Sequence, residues 1–388
     1  MRLEGGQERY CRDQIRLLRS RGHDVRPFYV DSKEIRPTGL MSRSKYFLQA
    51  IYSSGSKQTI ARLVDTWQPD VVHLHNLFPL LSLSVLDELR RLDLPTVMTV
   101  HDFHLRCPGR DLFVRGKICE RCCGGHYYHA VSLRCVNDRI DESLLHAIIC
   151  YISDLSDLFL KQIDVFITPS RFLLRKLVSW GVPPERICVV PHFTDLEVHR
   201  SVSDVSDGYV AYVGRLAETK GVGTLIRAAS LVPDIRFILV GDGPLKGSLT
   251  ELASRHGARN VEFCGQVPGD RVKELLGGAM FVVAPSEFYE TFGLSVIETY
   301  ALGKPVIASR VGALAEVVED GSTGYLFEPG NVEELAEKMA RLAADPGQRK
   351  AMGRNARDVA ETRYAAQFHY EGLQNVYRMA LRRRGNRG

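Results

Sequence analysis

Two carboxylates, Glu287 and Glu290, stand in a loop that runs from an apolar stretch into the pair Phe292-Gly293, and a third, Glu298, follows. The apolar stretch, residues 280–284, reads as a buried strand broken by Pro285. The chain then turns into a short helix that carries Glu298 and leaves through Gly303 and Pro305 into a second apolar strand. That is a strand–loop–helix–strand unit of a parallel sheet. A loop ending at a helix N-terminus presents N–H groups and the helix dipole to an anion such as phosphate. Gly293 lets the backbone approach that anion with no side chain in the way. Glu298, at least a turn further in, is too deep to oppose a phosphate and is suited to accept hydrogen bonds from a ribose diol. Glu290 is free to face whatever lies beyond the phosphate. The plainer reading is a pair of surface glutamates flanking an ordinary helix.

Cations occur at a second point. Gly214-Arg215-Leu216-Ala217-Glu218-Thr219-Lys220-Gly221 follows a strand and opens a helix. A guanidinium and an ammonium so spaced can clamp a diphosphate, arginine bidentately and lysine as a point charge. The alternative is a pair of solvated cations at a strand end. Gly5-Gly6, ahead of a helix, suits donor phosphates or a simple turn. His101 ends a strand, and His73 and His75 alternate along another, so that they point the same way. The pair can ligate a metal, but the sequence shows no third ligand, and a structural role is the competing reading. Cys107, Cys119, Cys122, Cys123 and Cys135 crowd an insert, residues 105–138. A C-x2-C step with one further cysteine on each side suits a tetrahedral thiolate zinc site at Cys107, Cys119, Cys122 and Cys135, against unligated thiols in a packed flap.

Glu290-Thr291-Phe292-Gly293, with Glu298 downstream and Gly303-Lys304-Pro305-Val306-Ile307-Ala308 after it, resembles the signature of the family-four retaining glycosyltransferases of the GT-B fold. The likeness covers most of the chain, most strongly over residues 208–330. It implies a sugar transfer from a nucleotide-diphosphate donor to an acceptor hydroxyl with the anomeric configuration retained. On that resemblance Arg215 and Lys220 hold the diphosphate and stabilise the leaving group, and Glu298 holds the ribose hydroxyls. Glu290 contacts the sugar near the reacting centre, and the backbone of Phe292, Gly293 and Leu294 binds phosphate. Gly6 lies against the donor phosphates, and His101 is a hydrogen-bond partner of the sugar. Gly265-Gln266-Val267-Pro268 takes the place where the family meets the nucleotide base. No cofactor is required for catalysis on this reading. A nucleotide-sugar epimerase of the same architecture and a non-catalytic nucleotide-sugar-binding subunit remain alternatives, separated by whether acceptor is needed and whether donor turns over.

These residues need elements to position them. Helix and strand patterns alternate: a helix over 7–21, a strand over 24–30, helical character over 46–67, strands near 69–75 and 95–102, then further alternation to residue 191. The expectation is an α/β chain of two Rossmann-like, doubly wound parallel-sheet domains facing a cleft. The boundaries expected are 1–195 on the acceptor side, 196–365 for donor binding, and 366–388 as a helix returning to the first domain with a basic tail. Residues 194–207 read as a linker. The family opens with an apolar strand ahead of the Gly-Gly turn, and only three residues precede Glu4. A start placed too late is the expected account.

At 388 residues, two domains are the prior, and the 45% apolar and 25% charged fractions are those of an ordinary globular protein. A net charge of +5, partly held in Arg382, Arg383, Arg384 and Arg387, gives no argument for nucleic acid. With no apolar run long enough to span a bilayer and no apolar leader, the chain is expected in the cytoplasm, its nine cysteines mostly reduced. The apolar and Arg-rich helix at 10–21 suits either a core packing face or the inner face of the plasma membrane, where a lipid-linked acceptor waits. Expected partners are a nucleotide-sugar donor and a glycan or lipid-linked acceptor of cell-surface polysaccharide or glycolipid synthesis.

Overall fold

The computed structural model describes residues 6–30, 40–77, 81–196 and 208–385. Gly5, most of the expected linker, the residues ahead of the Gly-Gly turn and Arg387 lie outside the described residues. The chain divides into two compact units. One holds Gln7–Val114, Cys119–Val190 and the chain from Tyr370 onward; the other holds Pro191–His369 with Gly6 and Arg115–Ile118.

The first unit opens with α1 (Gly6–Ser20), α2 (Leu40–Ile51) and α3 (Ser54–Trp67). The single helical stretch expected over 46–67 is broken because Ser53 turns extended and caps α3, its hydroxyl accepting the Ser56 N–H at 3.1 Å. Then come β1 (Val72–Leu74), α4 (Ser84–Arg91), β2 (Thr96–Thr99), α5 (Tyr128–Ser132), α6 (Ile140–Ser156), α7 (Leu158–Gln162), β3 (Val165–Thr168), α8 (Arg171–Ser179) and β4 (Ile187–Val189). The strands form one parallel sheet in the order β1-β2-β3-β4. Every residue of β2 and β3 is buried, as a parallel sheet covered on both faces requires. Residues 24–30 do not form the expected strand. Their apolar alternation is served instead by packing, since Val25 lies against the core while no described strand pairs with that backbone.

In the second unit the elements are β5 (Tyr209–Val213), α9 (Val222–Ser230), β6 (Arg236–Val240), α10 (Lys246–Arg255), β7 (Val261–Gly265), α11 (Gly269–Gly278), β8 (Phe281–Ala284), α12 (Leu294–Ala301), β9 (Val306–Ser309), α13 (Leu314–Val317), β10 (Gly324–Phe327), α14 (Val332–Ala344) and α15 (Pro346–Arg363). Its sheet is parallel throughout, in the order β10-β9-β8-β5-β6-β7. From β5 the chain winds outward through β6 and β7, then returns to lay β8 on the other side of β5. The order therefore reverses between β5 and β8, and a reversal in an open α/β sheet leaves a crevice beyond the strand ends, where ligands bind.

The last helix, α16 (Ala366–Gly385), starts in the second unit and continues in the first. There Leu373, Val376 and Ala380 pack with Leu18, Val97, Val165 and Ile167 into one buried cluster. Arg384, almost fully buried, donates to Gln162 Oε1 at 3.0 Å and stands 3.7 Å from the buried Asp164 carboxylate. A buried guanidinium without such partners would be strongly destabilising. Among the described residues no helix is long and apolar enough to cross a membrane.

Candidate functional site

The loops that follow β5 and β8 sit side by side because their strands pair in parallel, Val210 opposite Phe281 and Ala211 opposite Val282. The first loop carries Arg215 and Lys220, the second Glu287 and Glu290. Their joining is built into the backbone. Glu287 donates its N–H to the Thr219 carbonyl at 2.9 Å, and its Oε1 accepts from Thr224 Oγ1 at 2.6 Å. Gly221, at φ +61°, passes so close that a Cβ would stand 1.8 Å from the Pro285 carbonyl oxygen. The far end of the loop is held by Ala313, whose N–H reaches the Glu290 carbonyl at 2.9 Å.

Glu290 is not free, as its loop position suggested. Its Oε1 accepts from Lys220 Nζ at 2.6 Å and from Ser286 Oγ at 2.7 Å, with the two charged side chains 28% and 16% exposed. Lys220 Nζ also lies 4.8 Å from the centre of the Phe288 ring. Arg215 leaves β5 with its side chain exposed and its carbonyl accepting the Tyr212 hydroxyl at 2.9 Å. Burial, and then the charge of Glu290, push the Tyr212 phenol above its ordinary range.

Phe292 turns its ring inward, 3% exposed, edge-on to His192 at 5.1 Å and to Tyr364 at 5.7 Å. Its ring anchors the turn, and the turn's backbone leads into α12. Gly293, at φ +114°, occupies the N-cap of α12 and supplies no side-chain cap. A Cβ there would sit 2.9 Å from the end of the Leu314 side chain, but it is the left-handed backbone that makes the position need glycine. Glu298 is half-buried one turn along α12 from Leu294. The second unit thus gathers Arg215, Lys220, Glu290, Phe292, Gly293, Leu294 and Glu298 at one end of its sheet. Sequence reasoning missed Ser286, Thr224, Phe288 and Ala313, which hold these groups in place. The one available signal was Ser286, four residues before Glu290.

Gly6 opens α1. His101, in the first unit, follows the buried end of β2 and is no isolated histidine. Its Nε2 lies 2.9 Å from His75 Nδ1, with the rings stacked at 5.2 Å and Tyr10 edge-on to both. Burial, and then the neighbouring His75, hold its pKa well below the ordinary histidine range. His73 and His75 do point the same way, stacked at 4.4 Å. His73, however, is taken up by Thr99 Oγ1 at 2.8 Å and the Tyr377 hydroxyl at 2.9 Å.

Of the two readings of the insert cysteines, a thiolate zinc site and unligated thiols in a packed flap, the structure does not gather the first. Among the described residues the one group of three or more candidate ligands within 4.8 Å of each other is Cys11, His75 and His101, so no three sulfurs of Cys107, Cys119, Cys122 and Cys135 converge. Cys122 instead packs with Tyr127, Ala130, Ala147 and Cys150 in an apolar cluster, with Cys135 against it. Burial pushes the Cys122 thiol up to about 12 and Cys123 to about 11.

The sequence matches the family model described as Glycosyltransferase Family 4 over residues 4–198, half of the chain. The chain belongs to glycosyltransferase family 4. A second model, Glycosyl transferases group 1, takes over at residues 195–359, where the Lys220–Glu290 pair lies. Among relatives, an uncharacterized glycosyltransferase of Methanocaldococcus jannaschii is 25% identical over 99% of this family-4 chain and 97% of its own length. The alpha-D-kanosaminyltransferase of Streptomyces kanamyceticus is 32% identical over 44% of this chain, a match that spans only 45% of that enzyme. The crystal structure of Anabaena Alr3699/HepE in complex with UDP and glucose superimposes with a TM-score of 0.61, at 21% identity, over 82% of this chain and 80% of that one. The fold is GT-B, two Rossmann-like domains with parallel sheets.

Proposed function

We propose that this family-4 protein transfers a sugar from a nucleoside diphosphate to an acceptor hydroxyl with retention at the anomeric carbon. The observation that carries the reading is the contact of Lys220 Nζ with Glu290 Oε1 beside the uncapped start of α12, at the point where the strand order reverses. Two cations and a helix N-terminus follow neighbouring parallel strands at the point where the strand order reverses, an arrangement suited to a diphosphate. In the absence of donor, Glu290 neutralises Lys220; an arriving diphosphate gives the ammonium a second anion and leaves the carboxylate to orient the sugar. Arg215 and Lys220 then oppose the charge that grows on the departing phosphate, a large electrostatic share of such a barrier. Glu298 holds the ribose hydroxyls. The UDP and glucose bound by the Anabaena protein support a uridine nucleotide as the first donor to try.

The chemistry assigned is a same-face displacement. The acceptor oxygen bonds to the anomeric carbon as the bond to the leaving phosphate breaks, and that phosphate takes the acceptor proton. Gly6 is assigned to the donor phosphates and His101 to a hydrogen bond with the sugar. The acceptor class assigned is a growing glycan or lipid-linked sugar of the cell surface, met in the cytoplasm or at the membrane's inner face. A panel of nucleotide sugars in a thermal-shift assay identifies the donor, because ligand binding raises the melting point by mass action. Transfer with that donor, followed by NMR of the anomeric proton, then gives the stereochemistry. Donor found in soaked crystals away from Arg215, Lys220 and Glu298 overturns the assignment. Interconversion of donor without acceptor makes the protein an epimerase.

A further inference from the structure

We infer that Cys11, His75 and His101 form a binding site for a divalent zinc-like cation, built from side chains of the first unit and sharing His101 with the sugar contact proposed above. The sulfur and one nitrogen from each imidazole lie within 4.8 Å of one another, all half-buried and all in the first unit. The three arrive from three elements: the second turn of α1, the residue after β1 and the loop after β2. Since β1 and β2 pair in parallel register, Leu74 opposite Met98, the two histidines emerge at the same end of the sheet. The helix lays Cys11 over them while Tyr10 packs edge-on against both rings.

The geometry fits the ion. His75 Nδ1 and His101 Nε2 face each other at 2.9 Å. Tetrahedral zinc with Zn–N near 2.0–2.1 Å places two ligand nitrogens roughly 3.3 Å apart, and sulfur and nitrogen roughly 3.6 Å apart. The two nitrogens therefore need part by only a few tenths of an ångström, and the sulfur, within 4.8 Å of both, closes to about 3.6 Å on binding. The proton now shared between the imidazoles shifts to the outer nitrogen of its own ring, and the Cys11 thiol releases its proton to solvent. Thiolate with two imidazoles is a borderline-soft set that selects zinc over magnesium or calcium, and three protein ligands leave one coordination position open. The support is also in place, because His73 stacks on His75 and is itself fixed by Thr99 and Tyr377.

The test uses the full chain, stripped of metal and titrated with zinc against a chromogenic chelator, and in parallel with cobalt. One equivalent should bind. The cobalt form should show a sulfur-to-metal charge-transfer band with tetrahedral visible bands, and zinc X-ray absorption should give one sulfur and two nitrogens. Cys11→Ser and His75→Ala should each weaken binding by at least about 10- to 100-fold, whereas Cys119→Ser leaves it unchanged. A shell of two or more sulfurs would put the metal on the insert cysteines and overturn the site. So would binding by Cys11→Ser equal to the parent's, or the absence of the charge-transfer band. The absorption spectra need no variant, so a substitution that impairs folding does not blunt the test.

Discussion

Lys220 Nζ lies 2.6 Å from Glu290 Oε1, although 70 residues separate the two in the chain. Each was legible as a candidate, the lysine for phosphate and the carboxylate for sugar. What the fold adds is that the two charges meet directly. Replacing either should therefore change chemistry more than stability. Glu290→Gln should lower kcat by about 100-fold or more, and Lys220→Ala should raise the donor KM and lower kcat/KM by a similar factor. Both should unfold within about 2 kcal/mol of the parent, the pair being partly exposed. Near-normal turnover by Glu290→Gln removes that residue from the mechanism.

Gly221 should tolerate no side chain. Its left-handed backbone and the 1.8 Å approach of a built Cβ to the Pro285 carbonyl both oppose alanine. Gly221→Ala should cost at least about 3 kcal/mol in urea unfolding and disorder the Lys220 loop. Gly247, near the start of α10 with nothing within 4 Å of a built Cβ, is the control. There alanine should be neutral or stabilise by about 0.5–1 kcal/mol.

His369 should make the protein sensitive to acid. Burial lowers its pKa to about 4, its Nδ1 meeting the Pro191 carbonyl at 2.7 Å and its ring stacked on Phe193. The unfolded chain takes up the proton near pH 6.5, the folded one only near 4, so acid favours unfolding. The contribution is whole above pH 6.5 and is lost as pH falls toward 4. About 2 kcal/mol should go between pH 7 and pH 5. His369→Asn, which keeps a donor to Pro191, should shed that part of the dependence; equal acid sensitivity in the two proteins refutes it.

Tyr127 should hold the insert together through its hydroxyl. That group donates to Asp154 Oδ2 at 2.6 Å and accepts from Arg106 Nη1 at 3.0 Å, while Arg106 and Asp154 pair directly. Tyr127→Phe should destabilise the first unit by about 1–2 kcal/mol. The shift should appear in the denaturant midpoint with no change in donor affinity, and a change in donor affinity would give the insert another role.

The zinc set shows where sequence reading stops. His75 and His101 were visible as single residues, and Cys11 was one cysteine among nine. Nothing in their spacing joins them, because a helix, a strand end and a loop bring them together. The insert is the converse case: its C-x2-C step looked like a ligand set, but Cys122 packs with Tyr127 and Cys150 in an apolar cluster, and no three of the four sulfurs come within 4.8 Å of one another.

By itself the sequence determined the alternation of helix and strand, the parallel sheets that follow from it, and the loop that carries Glu287, Glu290 and Gly293, because these depend on residues close in the chain. It failed over residues 24–30, where a strand needs a partner that apolar alternation cannot supply. Only the tertiary structure decided that Glu290 meets Lys220 and Ser286, that Phe292 is an anchor, and that His101 stands against His75. Those choices turn on which strands lie side by side, and strand neighbourhood is fixed by burial over the whole sheet.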